Sequence, residues 1–435
     1  MKKTNTSPIS GTQELLPFTQ ATFDQLKANI LSVYQSHGFL HIETPIIDRT
    51  DILLAKAGGQ TEKQIYKVIK TTESIDDADQ ALRFDHTVPL ARYVTEHESD
   101  LIFPFKVTQV GRNFRGERAQ KGRFREFYQC DIDIIGRNQL PLSYDAEVII
   151  TLLQVFSSFN LKTPIIARVN HRKILIGLLE ALNLSSKATT IFSIIDHSEK
   201  VSPEKTIADL KELDLSEDDI KKITTFINLH GSRSFVVKNL KNLEIENPTF
   251  EQGIDELDQV LYLVESTSSD VIADMRIVRG LDYYTGTVFE FNLPEYPSIG
   301  SVCGGGRYDN LANYFTEQSL PGVGGSIGLT RLFYVLNENN LLESQEEKPL
   351  DFCLIPISEN EATYALELAN KLRSNGQRTD IIFTAKKLND KLAYATKLAK
   401  YGIVIGEEEV KTRELKVKDF ATGTIKPFDF FSIID

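Results

Sequence analysis

FKVTQVGRNFRGERAQKGRFREFYQCDIDIIG, Phe105 to Gly136, reads as strand, charged loop, strand. Lys106 to Val110 and Phe127 to Ile135 carry β-branched and aromatic residues, and the second run alternates apolar with polar at period two. Between Gly111 and Arg125 stand six basic residues (Arg112, Arg115, Arg118, Lys121, Arg123, Arg125) against one acid, Glu117, in a chain of formal net charge -12. A solvated hairpin tip would carry such charges. The sharper reading is an antiparallel hairpin whose arginines hold phosphates, because a guanidinium fork matches phosphate oxygens bidentately.

The whole chain sets the frame for that reading. Its 435 residues are enough for two or three domains, and 41% hydrophobic with 25% charged residues is ordinary for a soluble globular protein. A pI near 5.3 argues against sequence-independent coating of nucleic acid, while leaving room for a local basic site. Cys130, Cys303 and Cys353 lie far apart without CxxC spacing, so neither a disulfide framework nor a zinc site is expected, which fits a reducing cytosol. Met1-Lys2-Lys3 leads into polar residues rather than an apolar run, so a cytoplasmic protein without a leader is expected.

Outward from the hairpin, Thr22 to His37 has helical periodicity and Gly38 is a C-cap candidate. Phe39 to Pro45 reads as an edge strand. His37 and His41 are four apart, but Gly38 intervenes and the second falls in the strand, which weighs against a shared metal. Asp51 to Val68 reads as helix and loop punctuated by Gly58-Gly59. Ala81 to Leu90 puts a polar tip before a helix beginning near Pro89, where Asp85 or Thr87 could serve simply as N-cap. A helix from Ser143 to Phe159 follows the hairpin.

From about Asn170 to Asp270 the sequence turns Lys/Glu-rich and helical, with starts such as Ser216-Glu217-Asp218-Asp219, and looks like an inserted helical module. Strand-like sequence resumes at Ala273. It contains Arg279-Gly280-Leu281-Asp282-Tyr283-Tyr284-Thr285-Gly286, and a buried arginine in such a run is costly unless it meets an anion. Cys303 to Asp309 and Pro321 to Arg331 are glycine-rich. Neither is a P-loop nor a dinucleotide fingerprint, so their glycines are read as letting backbone approach a ligand, with Arg331 on the next helix. Asn337 to Lys348 is a linker by composition. Beyond it, strands alternate with helices, which implies a separate small domain around a mostly parallel sheet.

Arg115, Arg279 and Arg331, on three separate segments without a Walker or Rossmann loop, resemble the arginines of a class II aminoacyl-tRNA synthetase. Gly38 to Pro45 looks like that class's first motif, at the dimer interface. Phe114-Arg115-Gly116-Glu117 looks like its second, and Gly324 to Arg331 like its third. Within the class the chain resembles the histidyl-tRNA synthetase family, on Arg83-Phe84-Asp85-His86-Thr87, on Glu117 through Asp133, and on Arg279 to Gly286. The likeness spans nearly the whole chain. Gln60 stands where that family often has an acid, and His86 where leucine or glycine is usual.

The resemblance implies an α/β (α+β) architecture: an antiparallel-sheet catalytic core at 1–169 and 271–336, a helical insertion at 170–270, a linker at 337–349 and an anticodon-binding domain at 350–435. It implies ATP-dependent ligation of L-histidine to the 3′ end of histidine tRNA through a histidyl-adenylate, in a cytoplasmic homodimer, with Mg2+ arriving with ATP rather than held by a protein cluster. Arg115, Arg279 and Arg331 would be catalytic. ATP would meet Arg115, Glu117, Arg123, Phe127 and Arg331. Histidine would meet Asp85, Thr87, Arg115, Gln129, Asp133, Arg279, Tyr283, Tyr284 and Tyr308. The tRNA acceptor end would meet Arg118, Gln120, Lys121 and Arg123. The alternative is a non-catalytic paralogue acting as a regulatory subunit of histidine biosynthesis. Such proteins usually lose the anticodon domain and the Arg279–Tyr284 stretch, and this chain keeps both.

Overall fold

The computed structural model describes residues 4–55, 61–72, 74, 78–278, 284–342, 348–384 and 386–428. The readings placed on Gly58-Gly59, Gln60 and Arg279 to Tyr283 lie outside the described residues. The chain divides into two compact units, one of Met1–Leu16 and Thr22–Glu343, the other of Pro17–Ala21 and Ser344–Asp435.

In the larger unit the strands are β1 (Leu40–His41), β2 (Ile47–Arg49), β3 (Lys67–Val68), β4 (Gln80–Leu82), β5 (Phe105–Phe114), β6 (Glu126–Ile135), β7 (Ile166–His171), β8 (His230–Gly231), β9 (Val271–Asp274), β10 (Thr287–Asn292), β11 (Cys303–Tyr308) and β12 (Gly322–Ile327). Nine of them form one sheet in the order β1-β5-β6-β12-β11-β10-β7-β9-β8, and β2-β4-β3 form a small one. From β5 through β7 every neighbour is antiparallel. Only β1 with β5 and β7 with β9 are parallel.

The hairpin is longer than its composition suggested. Gly111 to Phe114 continue β5, paired with Gln129 to Glu126, because β6 offers a complete ladder of partners there. Period two then divides β6 between two environments. Cys130, Ile132 and Ile134 are fully buried, each isoleucine contributing about 1.5–3 kcal/mol of burial. The helix Pro17–Ser36 brings Phe23, Leu26, Ile30 and Tyr34 into this core, and the Tyr34 hydroxyl donates to the Cys130 carbonyl at 3.1 Å. Ser143–Ser157 covers the same face, with Leu152 so close that a Cβ on Gly325 would sit 2.8 Å from its Cδ1. Phe127, Gln129, Asp131 and Asp133 point the other way.

The predicted strand over Phe39 to Pro45 shrinks to β1, since only Leu40 and His41 find register on β5. His37 hydrogen-bonds Gln154 Oε1 at 2.6 Å. Six helices occupy Arg172–Ala181, Ala188–His197, Pro203–Lys211, Glu217–Ile227, Arg233–Lys241 and Pro248–Glu265. Ser216 caps the fourth by accepting from Asp219 N. The first and last cross closely: a Cβ on Gly177 would lie 2.3 Å from Phe250 N, and one on Gly253 2.7 Å from Ile174 N.

The helix Leu329–Glu338 runs two residues into the stretch read as linker. In the smaller unit β13 (Leu350–Pro356), β14 (Thr379–Ile381), β15 (Ala399–Ile405), β16 (Lys416–Asp419) and β17 (Ile425–Pro427) order as β14-β13-β15-β16-β17. β14, β13 and β15 are parallel, joined through helices Ala362–Ser374 and Leu388–Leu398, and the last two strands turn antiparallel. Among the described residues no helix is long and apolar enough to cross a membrane.

Candidate active site

The polar face of β6 opens onto a cavity of about 420 Å³. Its floor is glycine where β11 and β12 pass under it. Gly304 and Gly324 share a face with Asp133, Ser326 and Glu290 by register, and backbone replaces side chain there. A Cβ on Gly324 would fall 2.0 Å from Asp133 Oδ1, and one on Gly306 3.0 Å from Tyr284 Cδ1. At both glycines the room a Cβ would need is taken by a side chain of this chain.

At one end stand the acids and phenols. Asp85 Oδ1 accepts from Thr87 N and Val88 N at 3.0 and 3.1 Å, so it caps the helix Thr87–Glu96 from one residue before His86. The capping reading and the cavity reading hold together, because Asp85 and Thr87 both line the cavity. Asp133 Oδ1 accepts the Tyr308 hydroxyl at 2.7 Å, and Gln129 hydrogen-bonds Asn113 and Ser326. Burial pushes the Asp85 and Asp133 carboxyls above the usual carboxylate range, against backbone and Tyr308 hydrogen bonds respectively. Burial, reinforced by Asp133, also raises the Tyr308 phenol.

Arg115 lies against two aromatic rings. Its guanidinium lies 4.4 Å from the Phe84 ring centre and 5.1 Å from that of Phe127, and Nε donates to the Phe84 carbonyl at 3.2 Å. At the other end Arg331, in the first turn of Leu329–Glu338, donates to the Ile299 carbonyl. Glu117 pairs with Arg123 at 3.6 Å, and both line the cavity with Arg115, Phe127 and Arg331.

Other basic residues of the hairpin serve the fold. Arg112 pairs with Glu126 at 2.7 Å, and Arg125 donates to the Glu117 and Ser10 carbonyls. Arg118, Gln120 and Lys121 are exposed at the tip and do not line the cavity. Arg279 and Tyr283 lie outside the described residues, while Tyr284 lines the cavity. Asp131, Ser326 and Glu290 line it too without having been singled out. Asp131 shares period two with Gln129 and Asp133, a signal sufficient to find it. Among the described residues no group of three or more His, Cys, Asp and Glu is placed to hold a metal ion.

Nucleotide enzymes with a Walker or Rossmann loop seat phosphates at a helix N-terminus beside a parallel sheet. This cavity has neither loop; it lies over an antiparallel sheet, and Arg115, just past β5, and Arg331, on the helix after β12, line it, an arrangement like that of class II aminoacyl-tRNA synthetases. A family model of histidyl-tRNA synthetase matches residues 11–332, and one of an anticodon binding domain matches residues 351–434. A histidine–tRNA ligase of Clostridium tetani is 45% identical, over 97% of this chain and 96% of that protein. The crystal structure of histidyl-tRNA synthetase from Nostoc sp. PCC 7120 superimposes with TM-score 0.90 at 34% identity, covering 99% of each chain. An ATP phosphoribosyltransferase regulatory subunit/histidyl-tRNA synthetase from Bacillus halodurans shares the fold at TM-score 0.76 and 22% identity, over 93% of this chain and 99% of that one. The chain belongs to the histidyl-tRNA synthetase family.

Proposed function

We propose that this chain activates L-histidine with ATP and transfers it to the 3′ end of histidine tRNA. The observation that carries the reading is one cavity holding a fixed cation, Arg115, between a buried acid–phenol end and a second cation, Arg331. In the first step a histidine carboxylate oxygen bonds to the α-phosphorus and pyrophosphate leaves. Negative charge grows on the α-phosphoryl oxygens, where a cation already stacked between two rings needs little reorganisation. Arg115 takes that position, Arg331 the far phosphates, and Phe127 and Glu117 with Arg123 the adenosine. Arg279 is the second cation at the α-phosphate in this reading. Glu117 and Glu290, hard oxygen donors on the cavity wall, would hold a Mg2+ ion that arrives with the nucleotide, and it would supply charge neutralisation at the phosphates.

Asp85, Thr87, Gln129 and Asp133 bind the amino group and ring of histidine, and Tyr283, Tyr284 and Tyr308 enclose the imidazole. In the second step the terminal ribose hydroxyl attacks the acyl carbon and adenylate leaves, with Arg118, Gln120, Lys121 and Arg123 on the acceptor end. Residues 350–435 read the anticodon, residues 170–270 form an insertion within a core of 1–169 and 271–336, and 337–349 link the two parts. The reading includes a cytoplasmic location and a homodimer, the latter supported by the edge position of β1, where Leu40 is 64% exposed. The test is histidine-dependent exchange of pyrophosphate into ATP. Exchange with histidine and with no other amino acid is expected. Folded protein without exchange would favour the regulatory-subunit reading.

A further inference from the structure

The N-terminal segment meets the hairpin at Arg125. Ile9 to Thr12 form a turn, in which Thr12 N and Oγ1 both donate to the Ile9 carbonyl, at 3.1 and 2.7 Å. The turn presents two carbonyls to Arg125, whose backbone N–H donates to Gly11 O at 2.7 Å and whose Nη1 donates to Ser10 O at 3.2 Å. The same guanidinium donates from Nε to the Glu117 carbonyl at 3.1 Å. The Arg125 carbonyl accepts from Arg115 N at 2.9 Å. One residue thus ties the turn to both ends of Arg115-Gly116-Glu117.

Gly11 is fitted to this contact. Its φ of +88° lies in the left-handed region that favours glycine. A Cβ there would stand 2.8 and 2.9 Å from Arg125 Cγ and Cδ, and 3.3 Å from Ala119 Cβ. Those two methylenes run between an anchored backbone and an anchored guanidinium, so they cannot move aside while both sets of hydrogen bonds are kept. Neither Gly11 nor Arg125 lines the cavity, whereas Arg115 and Glu117 do. The supports of these two differ. Arg115 also has the Phe84 carbonyl and two rings, and Gly116 N donates to the Gln64 carbonyl at 2.7 Å. Glu117 has Arg123 at 3.6 Å and, through its carbonyl, Arg125.

We infer that the turn Ile9–Thr12, acting through Arg125, positions the nucleotide end of the cavity. Gly11 and Arg125 are positioning residues that set where Glu117 stands, and neither touches substrate. The donors of Arg125 face carbonyls of its own chain, which accounts for a basic residue of the hairpin that holds no phosphate. The inference rests on the reading of Glu117 as a nucleotide residue.

The experiment is histidine-dependent pyrophosphate exchange on the full-length protein, wild type beside Arg125→Ala, Arg125→Lys, Gly11→Ala and the double variant Gly11→Ala with Arg125→Ala. Arg125→Ala releases the Glu117 and Ser10 carbonyls, so the KM for ATP should rise about tenfold. The KM for histidine and kcat should stay within about threefold, because Arg115 keeps its own contacts and the backbone of residue 125 still meets its N–H. Arg125→Lys still reaches one carbonyl and should hold the ATP KM within about threefold of wild type. Gly11→Ala pushes the Arg125 side chain off the turn and should match Arg125→Ala. The double variant should also stay near tenfold rather than about a hundredfold, since the new Cβ then has no arginine to displace. A general loss of stability produces neither that coupling nor an effect confined to ATP.

An unchanged ATP KM in Arg125→Ala, a rise shared equally by histidine, or effects that multiply in the double variant overturns the inference. Should Arg125→Ala not fold, Gly11→Ala and deletion of residues 2–11 decide the matter, each expected to raise the KM for ATP and spare that for histidine. A wild type without histidine-dependent exchange removes the functional reading and this inference with it. An active wild type with insensitive variants removes this inference alone.

Discussion

Tyr308 donates its hydroxyl to Asp133 Oδ1 at 2.7 Å over strands that can carry no side chain beneath the pair. A Cβ on Gly324 would stand 2.0 Å from that same oxygen, and one on Gly322 would stand 2.3 Å from the Tyr308 ring. The carboxyl is therefore pressed between a phenol and a glycine backbone on the wall of the cavity.

That position costs stability. Burial raises the folded-state pKa of Asp133, so the native state holds its proton more firmly than the unfolded chain does. The penalty is absent at acid pH and grows as pH rises above the ordinary carboxylate range of about 4. Asp133→Asn should therefore unfold at a higher temperature than wild type at pH 7, by about 1–4 °C, the gap closing toward pH 4. It should also raise the KM for histidine. Calorimetry across pH checks the first half, and a variant that melts below wild type at pH 7 would contradict it.

Arg115→Lys tests whether shape or charge matters at the α-phosphate. Lysine keeps the charge but loses the planar fork and its stacking on Phe84 and Phe127, which lie 4.4 and 5.1 Å away. Single-turnover adenylate formation should fall by about 100-fold or more, with ATP binding reduced far less. A rate close to wild type would show that any cation suffices there.

How much of this was readable from residues alone is seen on β6 and its neighbours. Period two exposed its two faces, and the glycine runs marked β11 and β12, which pass under the cavity. The small strands β2, β3 and β4 went unread, since segments of 2 or 3 residues are too short to display a period. Arg112 and Arg125 looked like phosphate holders beside Arg115. They are held by Glu126 and by backbone carbonyls brought near only when the hairpin closes. Ser326 was hidden for the same reason: its hydrogen bond to Asp131 depends on the register of β12 on β6, which no local pattern encodes.

Away from the cavity, Glu256 on the helix Pro248–Glu265 faces Lys173 at 2.7 Å and His171 at 2.8 Å. Burial alone would raise its pKa, but the close approach of His171 and the hydrogen bonds from Lys173 outweigh burial and bring it down to about 2. A lowered folded-state value means stability that is full above the unfolded value of about 4.3 and is lost as pH falls toward about 2. With partial exposure discounted, Glu256→Gln should cost about 1–2 kcal/mol at pH 7 and nothing measurable near pH 2. Urea unfolding at several pH values reads the difference, and a cost independent of pH would assign the loss to packing instead.

Deletion of residues 350–435 separates the two chemical steps from recognition of tRNA. Phe352, Leu354, Leu368, Leu372, Ile403 and Ile405 form a core of their own, and β13 to β17 share no strand with the larger sheet. The cavity is lined wholly by residues between Asp85 and Arg331. The truncated chain should therefore fold and exchange pyrophosphate within about threefold of wild type. Its charging of tRNA should fall by about 100-fold, equivalent to about 2.7 kcal/mol of lost binding. The loss should appear mainly in the KM for tRNA, because the truncated chain keeps the hairpin tip with Arg118, Gln120, Lys121 and Arg123 that is proposed to meet the acceptor end. Equal losses in exchange and charging would mean that residues 350–435 support the cavity rather than hold the anticodon.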